Sequence, residues 1–291
     1  MISNAIKTAV AGDDLSAALV ESVMDAILDG EASPAQIAAF VVALRMKGES
    51  SEEIAAAARS LRGHCESIHP AVDGPLVDTC GTGGDGLHTF NISTAAAIVV
   101  AGSGVAVAKH GNRAVSSKAG SADVLEALGV RIDLSPERVQ HCIEELGIGF
   151  LFAPSHHAAM RHAAPVRREL GIRTLFNLLG PLANPASATH QVVGVFDPRR
   201  LEQLAEALGS LGLSVAWVVQ GEAGLDEVSP SGPTQFAQLR DGQVSTFELS
   251  PASLGLDAVP AAALRGGEAA ENDQIIRGVL AGDEGAPRAA G

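Results

Sequence analysis

Through roughly the first 65 residues, apolar positions recur only at helical spacing. Residues 14–29 carry one such pattern and predict a helix. Ser33-Pro34 then places an N-cap before proline at the first helical position, leading into a helix over 35–47 that Gly48 stops. Ser50 with Glu53 forms a capping box for a further helix, through about Arg62. The segment reads as a small helical unit. From Pro75 the period changes. Short apolar runs at 76–77, 105–108, 148–152, 191–196 and 215–219 alternate with helices announced by Ser121, Ser135-Pro136 and Asp197-Pro198. This is the rhythm of βαβ units around a parallel sheet. Asp241-Gly242, between 235–239 and 244–249, adds a hairpin. A second helical stretch runs from His157 to about Leu179, ends in Gly180-Pro181, and is expected to return to the N-terminal helices.

The expected fold class is therefore α/β: a small discontinuous helical domain plus a larger α/β domain with a mostly parallel central sheet. The helical domain takes 1–70, with about 157–185 returning to it; the α/β domain takes 71–156 and 186–291. Residues 282–291, rich in Gly and Ala, are expected to fray.

Composition narrows the function. With 46% hydrophobic and 19% charged residues, 291 residues suffice for a well-buried globular core. A net charge of −14 argues against general nucleic-acid binding, which needs a basic surface. A polyanionic substrate would need a few local cations and a divalent metal. Cys65, Cys80 and Cys142 have no metal-ligand spacing, and an odd count fits no full disulfide framework. No charged-then-apolar leader opens the chain, and the apolar run near 95–108 is interrupted by Gly102 and Gly104. The expectation is a soluble, cytoplasmic chain without a membrane partner.

Two loops carry the chemistry. The first is 78–94, with Gly81, Gly83, Gly84 and Gly86 beside Thr82, Asp85, Thr89, Asn91, Ser93 and Thr94, between an apolar run and an Ala-rich helix. Glycines let a backbone approach a ligand closely, and amides at a helix start suit phosphate oxygens. A tight turn without a ligand remains the alternative. The second loop, 109–121, follows a strand and offers Lys109, Arg113 and Lys118 with three serines, a set suited to several phosphate oxygens. Ser121 reads equally as an N-cap. Asp226-Glu227, just past a strand, is a candidate magnesium pair or a solvated surface pair. Arg167 and Arg168 could grip a carboxylate bidentately or lie in solvent. His110 and His157 fit polar walls or structural histidines, and Cys80 reads as a small buried thiol.

Taken together, these motifs resemble anthranilate phosphoribosyltransferases. The resemblance rests on 81–86 (GTGGDG), 91–94 (NIST), 109–113 (KHGNR), 120–126 (GSADVLE), 171–174 (GIRT), 177–182 (NLLGPL) and Asp226-Glu227, which occur in the family's order. It implies a helical domain through which two chains dimerise, and an α/β domain, with the active site between them. It implies transfer of phosphoribose from phosphoribosyl pyrophosphate (PRPP) to the amino group of anthranilate, releasing pyrophosphate, in tryptophan biosynthesis. By position, Gly81, Gly84, Asp85, Thr89, Asn91, Ile92, Ser93, Thr94, Lys109, His110, Gly111, Asn112, Arg113, Ala114, Val115, Ser116, Ser117 and Ser121 would bind PRPP. Asn112 and Arg167, with Gly81 close to both substrates, would contact anthranilate. Ser93, Asp226 and Glu227 would hold magnesium (Mg2+). No residue is assigned as catalytic acid or base.

Departures from the family pattern are modest. Family sequences often have His-Pro where this chain has His157-Ala158, and Ser where it has Ala119. They also usually continue some tens of residues past the segment like 275–282, so a C-terminally truncated α/β domain is expected. A pyrimidine nucleoside phosphorylase, or a non-catalytic ligand-binding relative, are the competing readings.

Overall fold

Four helices occupy the first 63 residues of the computed structural model, which describes residues 1–114, 118–285 and 287–288. They are α1 (Ile2–Ala11), α2 (Ala17–Leu28), α3 (Pro34–Lys47) and α4 (Ser51–Gly63). Capping boxes open two of them. Ser33 Oγ accepts from Gln36 N–H while the Gln36 side chain accepts from Ser33 N–H, and Ser50 and Glu53 do the same for α4. Each cap stabilises its helix by about 1 kcal/mol. α1 has no such signal: its N-cap is Met1, with no side-chain cap, so nothing local announces it. α2 starts at Ala17 rather than Asp14 because Leu15 N–H donates 2.8 Å to the buried Glu53 Oε1 instead.

Seven strands form one sheet: β1 (Leu76–Asp78), β2 (Ala106–Gly111), β3 (Ile148–Phe152), β4 (His190–Gly194), β5 (Val215–Gly221), β6 (Thr234–Arg240) and β7 (Gln243–Leu249). Their order is β3-β2-β1-β4-β5-β6-β7. The first five are parallel; β6 and β7 are antiparallel and form the hairpin expected at Asp241-Gly242. Helices α5 (Ile92–Gly102), α6 (Ser121–Ala127) and α7 (Pro136–Leu146) lie among the first crossovers.

The single helical stretch expected over 157–179 is broken. It becomes α8 (Ala153–His156), a 3-10 turn (Ala158–His162), α9 (Ala164–Leu170) and α10 (Leu175–Leu182). Pro165 restarts the chain in the first turn of α9, and Gly171, at φ 61°, ends it. α9 packs on α3, and α10 packs on α3 and α4. A turn capped by Asp197 leads into α11 (Leu201–Ser210), which covers β5–β7 and also packs on α4. One continuous apolar core therefore runs from α1–α4 through α10 and α11 to the inner side of β4–β6. On the opposite side of the sheet, Trp217 is 40% exposed and meets Phe236 edge-on, which stacks on Phe247. The last helix, α12 (Ala269–Ala281), packs on α5 and α6. No helix among the described residues is long and apolar enough to cross a membrane. Of the segment expected to fray, Ala286 and 289–291 lie outside the described residues.

Candidate active site

Chain order in the sheet reverses at the β1–β4 boundary. In open α/β sheets the crevice at such a switch point, beyond the carboxyl ends of the strands, is where ligands bind. Here the glycine loop leaves β1, the loop 112–120 leaves β2, and Asp226-Glu227 lies just past β5. They meet at a cleft of about 730 Å³, which the α9–α10 region closes from the other side. Every residue that the family resemblance assigns within the described part of the chain lines this cleft except Ile92, whereas the candidates Lys118 and Arg168 do not. The Ile92 side chain turns into the apolar cluster with Phe90, Leu264 and Ile276, which leaves only its backbone for a ligand. Val115, Ser116 and Ser117 lie outside the described residues.

Two approaches hold the glycine loop in place. Thr82 N–H and Oγ1 both donate to the Gly194 carbonyl at the end of β4, at 2.9 and 3.1 Å. Arg173, from the segment between α9 and α10, donates 3.0 Å to the Thr82 carbonyl and stacks 4.6 Å above Phe196. Its guanidinium fills the space that a side chain at Gly84 would need, and Gly84 sits at φ 87°. Only glycine meets both conditions.

Lys109 points up from β2 between the two loops. Although 3% exposed, its Nζ donates 3.1 Å to Thr79 Oγ1, 3.3 Å to the Thr79 carbonyl and 3.4 Å to Ser93 Oγ. Ser93 N–H in turn donates 3.1 Å to Glu227 Oε1. The Glu227 carboxyl is pushed up to about 7, chiefly by burial. Asp226 is raised too, by burial and then by the charges of Glu227 and Asp85. Asp85 Oδ1 accepts from Leu87 N–H, whereas its Oδ2 is buried with no partner among the described residues. Asp226 and Glu227, both raised by burial, and the orphan oxygen of Asp85 bring hard-oxygen donors of the kind magnesium takes to one side of the cleft. Asp85 lies close enough to Asp226 and Glu227 for its charge to raise both.

Opposite this acidic cluster lies Arg167, on α9. It is half-buried, packed 5.7 Å over the Phe176 ring, and has no carboxylate partner among the described residues. Burial alone lowers its pKa. An unpaired guanidinium of this kind is a waiting partner for an anion. Beside it, His110 and His157 sit with ring centroids 5.2 Å apart. Burial depresses them to about 3 and about 4, so both are neutral. His110 Nδ1 lies 3.0 Å from the Gly180 carbonyl and must donate to it, leaving Nε2 as a bare acceptor. Burial also holds the Cys80 thiol well above its usual range, so it is inert.

Ser121 is placed differently from expectation, and Arg113 already has partners. Ser121 is the first residue of α6, not its cap. Gly120 takes the cap position, where Asp123 Oδ2 accepts from both Gly120 N–H and Ala114 N–H, at 2.8 and 2.9 Å. Ser121 Oγ instead donates 3.3 Å to the Asn112 carbonyl. Arg113 lines the cleft and is paired with Asp123 and Glu126 at 3.0 and 2.6 Å. Ala119 is buried and contributes its carbonyl, so Ala in place of Ser leaves that role intact.

Beneath the loops lies Asp78, the first residue of the 78–94 stretch, to which the sequence assigned no role of its own. Fully buried, it accepts from His110 N–H at 3.1 Å, Asn184 Nδ2 at 2.8 Å and Gln191 Nε2 at 3.4 Å. A carboxylate closing an apolar run directly before a glycine loop was the local signal for it. Gly194 carried none, and Arg173 stood only as part of the 171–174 motif, because their roles depend on what folds against them.

Comparison with known proteins places the chain clearly. Residues 3–65 match the model of the glycosyl transferase family helical bundle domain, and residues 73–290 that of the glycosyl transferase family a/b domain. An anthranilate phosphoribosyltransferase of Symbiobacterium thermophilum is 56% identical over 278 residues, covering 95% of this chain and 81% of that relative. The crystal structure of the anthranilate phosphoribosyltransferase of Thermus thermophilus superposes with a TM-score of 0.91 at 49% identity, covering 98% of this chain and 85% of that one. That of Saccharomyces cerevisiae, in complex with PRPP and Mg, gives a TM-score of 0.86 at 30% identity, covering 95% of this chain and 80% of the other.

Proposed function

This chain belongs to the anthranilate phosphoribosyltransferase family, and we propose how its cleft divides the work of that reaction. The enzyme transfers the phosphoribosyl group of PRPP to the amino group of anthranilate, giving N-(5-phosphoribosyl)anthranilate and pyrophosphate. More than 50% identity to transferases sets the nucleoside phosphorylase alternative aside.

The observation that carries the division of roles is the polarity of the cleft. Hard-oxygen donors and loop amides line the sheet side, and the unpaired Arg167 lies on the helical side. PRPP lies along the glycine loop and the loop after β2, over Gly81–Thr94 and Lys109–Ser121. Asp226, Glu227 and Ser93, with Asp85 beside them, would hold magnesium, which would supply positive charge to neutralise the departing pyrophosphate. Lys109, fixed between Thr79 and Ser93, adds a positive charge on the same side. Arg167 takes the anthranilate carboxylate, with Asn112 and Gly81 nearby, and turns the amine toward C1 of the ribose. Alignment of this kind contributes through positioning rather than acid–base chemistry. The neutral His110, in the wall of the cleft, adds no charge that would repel an oxocarbenium-like sugar.

A homodimer through the helical domain and a cytoplasmic location belong to the same proposal. The solvent-facing Val10 and Met46, on α1 and α3, support self-association there. Light scattering on the purified chain tests it, and a monomer at micromolar concentration rejects it.

The deciding experiment is loss of anthranilate fluorescence on adding PRPP, with and without magnesium. Magnesium-dependent loss upholds the assignment; loss of equal rate in a chelator defeats the metal role, and no loss defeats the assignment.

A further inference from the structure

The C-terminal helix α12 reaches the substrate loops through one buried side chain. Asn272, in the first turn of α12, is 2% exposed, and both ends of its carboxamide are used. Its Oδ1 accepts from Gly267 N–H at 2.8 Å. Its Nδ2 donates 2.9 Å to Asn91 Oδ1. Asn91 is the residue where the glycine loop enters α5, and its own Nδ2 donates 3.1 Å to the Ala119 carbonyl in the loop after β2.

We propose that Asn272 is a positioning residue for PRPP: it sets the orientation of the Asn91 carboxamide, and through it the spacing of the two substrate loops. This inference rests on the assignment of those loops to PRPP made above. The two ends of a carboxamide are nearly the same shape, so only hydrogen-bond partners decide which way it faces. Here the decision propagates in one direction. Gly267 N–H can only donate, so it captures Asn272 Oδ1. Asn272 must then offer Nδ2, which captures Asn91 Oδ1. Asn91 must in turn offer Nδ2, which captures a carbonyl that can only accept.

The main chain before α12 is held to the same loop, which keeps the relay in register. Phe90 N–H donates to the Leu264 carbonyl and Gly266 N–H to the His88 carbonyl, both at 2.9 Å. A buried relay with every member satisfied specifies one arrangement; with one member removed, the orientation of the next is left undecided.

Two variants test this, with wild type alongside. Asn272→Asp keeps the acceptor for Gly267 but replaces the donor by an oxygen, so the Asn91 carboxamide turns over and loses Ala119. Asn272→Leu removes the donor without adding charge. Both are expected to raise the KM for PRPP at least ten-fold and leave the KM for anthranilate within two-fold. In protein carrying 15N-labelled asparagine, the Asn91 side-chain amide pair, identified by its loss in Asn91→Asp, is expected to shift in Asn272→Leu. An unchanged KM for PRPP in both variants, an equal rise in both substrates' KM, or unmoved Asn91 resonances overturns the relay. A rise in Asn272→Asp alone also overturns it, since charge would then be the cause. Wild type without turnover overturns the underlying assignment of the loops as well, a failure recognisable before either variant is made.

Discussion

Gly194 and Asp226 touch main chain to main chain: a Cβ built on Gly194 would fall inside the van der Waals radius of the Asp226 carbonyl oxygen. The carbonyl of the same glycine accepts both hydrogen bonds from Thr82. One residue at the end of β4 thus brings the glycine loop and the acidic loop together, because it has no side chain to keep them apart.

Gly194→Ala is therefore expected to push the Asp226-Glu227 loop outward. Overpacking of a closed site costs about 1–3 kcal/mol, and each kcal/mol lowers Tm by about 2–4 °C in a chain of this size class. Magnesium affinity should fall with it. Calorimetric titration of magnesium into the variant checks this, and wild-type affinity would show that the loop reaches its place without Gly194.

Elements with local punctuation were legible in the sequence. Ser50 and Glu53 announced α4, Asp241-Gly242 announced the β6–β7 hairpin, and the spacing of short apolar runs gave the parallel sheet. α1 has no capping residue at its start and was not separately visible. The stretch over 157–179 hid two interruptions, because an amphipathic pattern can continue across the breaks at Pro165 and Gly171. In the cleft, residues that act by their own chemistry stood out as motifs. Those that act by approach or by relay did not: Gly194 and Asn272 look ordinary until Asp226 and Asn91 are folded against them, and Arg173, though inside the 171–174 motif, shows its part only against Gly84.

Arg167→Ala should raise the KM for anthranilate and spare that for PRPP. A hydrogen-bonded charge on a carboxylate contributes about 1.5–3 kcal/mol, which corresponds to roughly 10- to 100-fold in KM. Arg167 has no carboxylate partner of its own among the described residues to release, so the fold should lose little stability. Steady-state kinetics with each substrate varied in turn checks this; equal rises for both substrates would remove Arg167 from the anthranilate side.

The raised carboxyls of Asp226 and Glu227 give a pH dependence of definite sign. In the metal-free fold they keep protons up to about 7, the value for Glu227, whereas in the unfolded chain they lose them in the ordinary range near 4. The native state therefore binds more protons across that window, and metal-free stability should fall as pH rises from about 5 to 8. Magnesium displaces those protons, so it should raise Tm more at pH 8 than at pH 6. Thermal scans at both pH values, with magnesium and with chelator, check this. The same competition makes activity fall toward pH 6 and recover at higher magnesium concentration. His110 and His157, depressed to about 3 and about 4, do not titrate in that range.

Asp78 carries the strongest expectation for stability. Its carboxylate is fully buried and satisfies three donors from two strands and the segment after α10. Burial still raises its pKa to about 6, so the buried charge is only partly compensated, by Lys109 first and then by these donors. Asp78→Ala leaves His110 N–H, Asn184 Nδ2 and Gln191 Nε2 competing for fewer acceptors, although Asn184 and Gln191 keep the Ala108 and Pro181 carbonyls. The cost is expected at about 2–4 kcal/mol, the range for breaking a buried polar network. Asp78→Asn keeps the shape but turns one acceptor into a donor, and should fall between Asp78→Ala and wild type. Urea denaturation of all three proteins checks the order. Because His110 and the glycine loop sit directly on Asp78, the folded fraction of Asp78→Asn should also show a raised KM for PRPP; an unchanged KM would confine Asp78 to holding the sheet together.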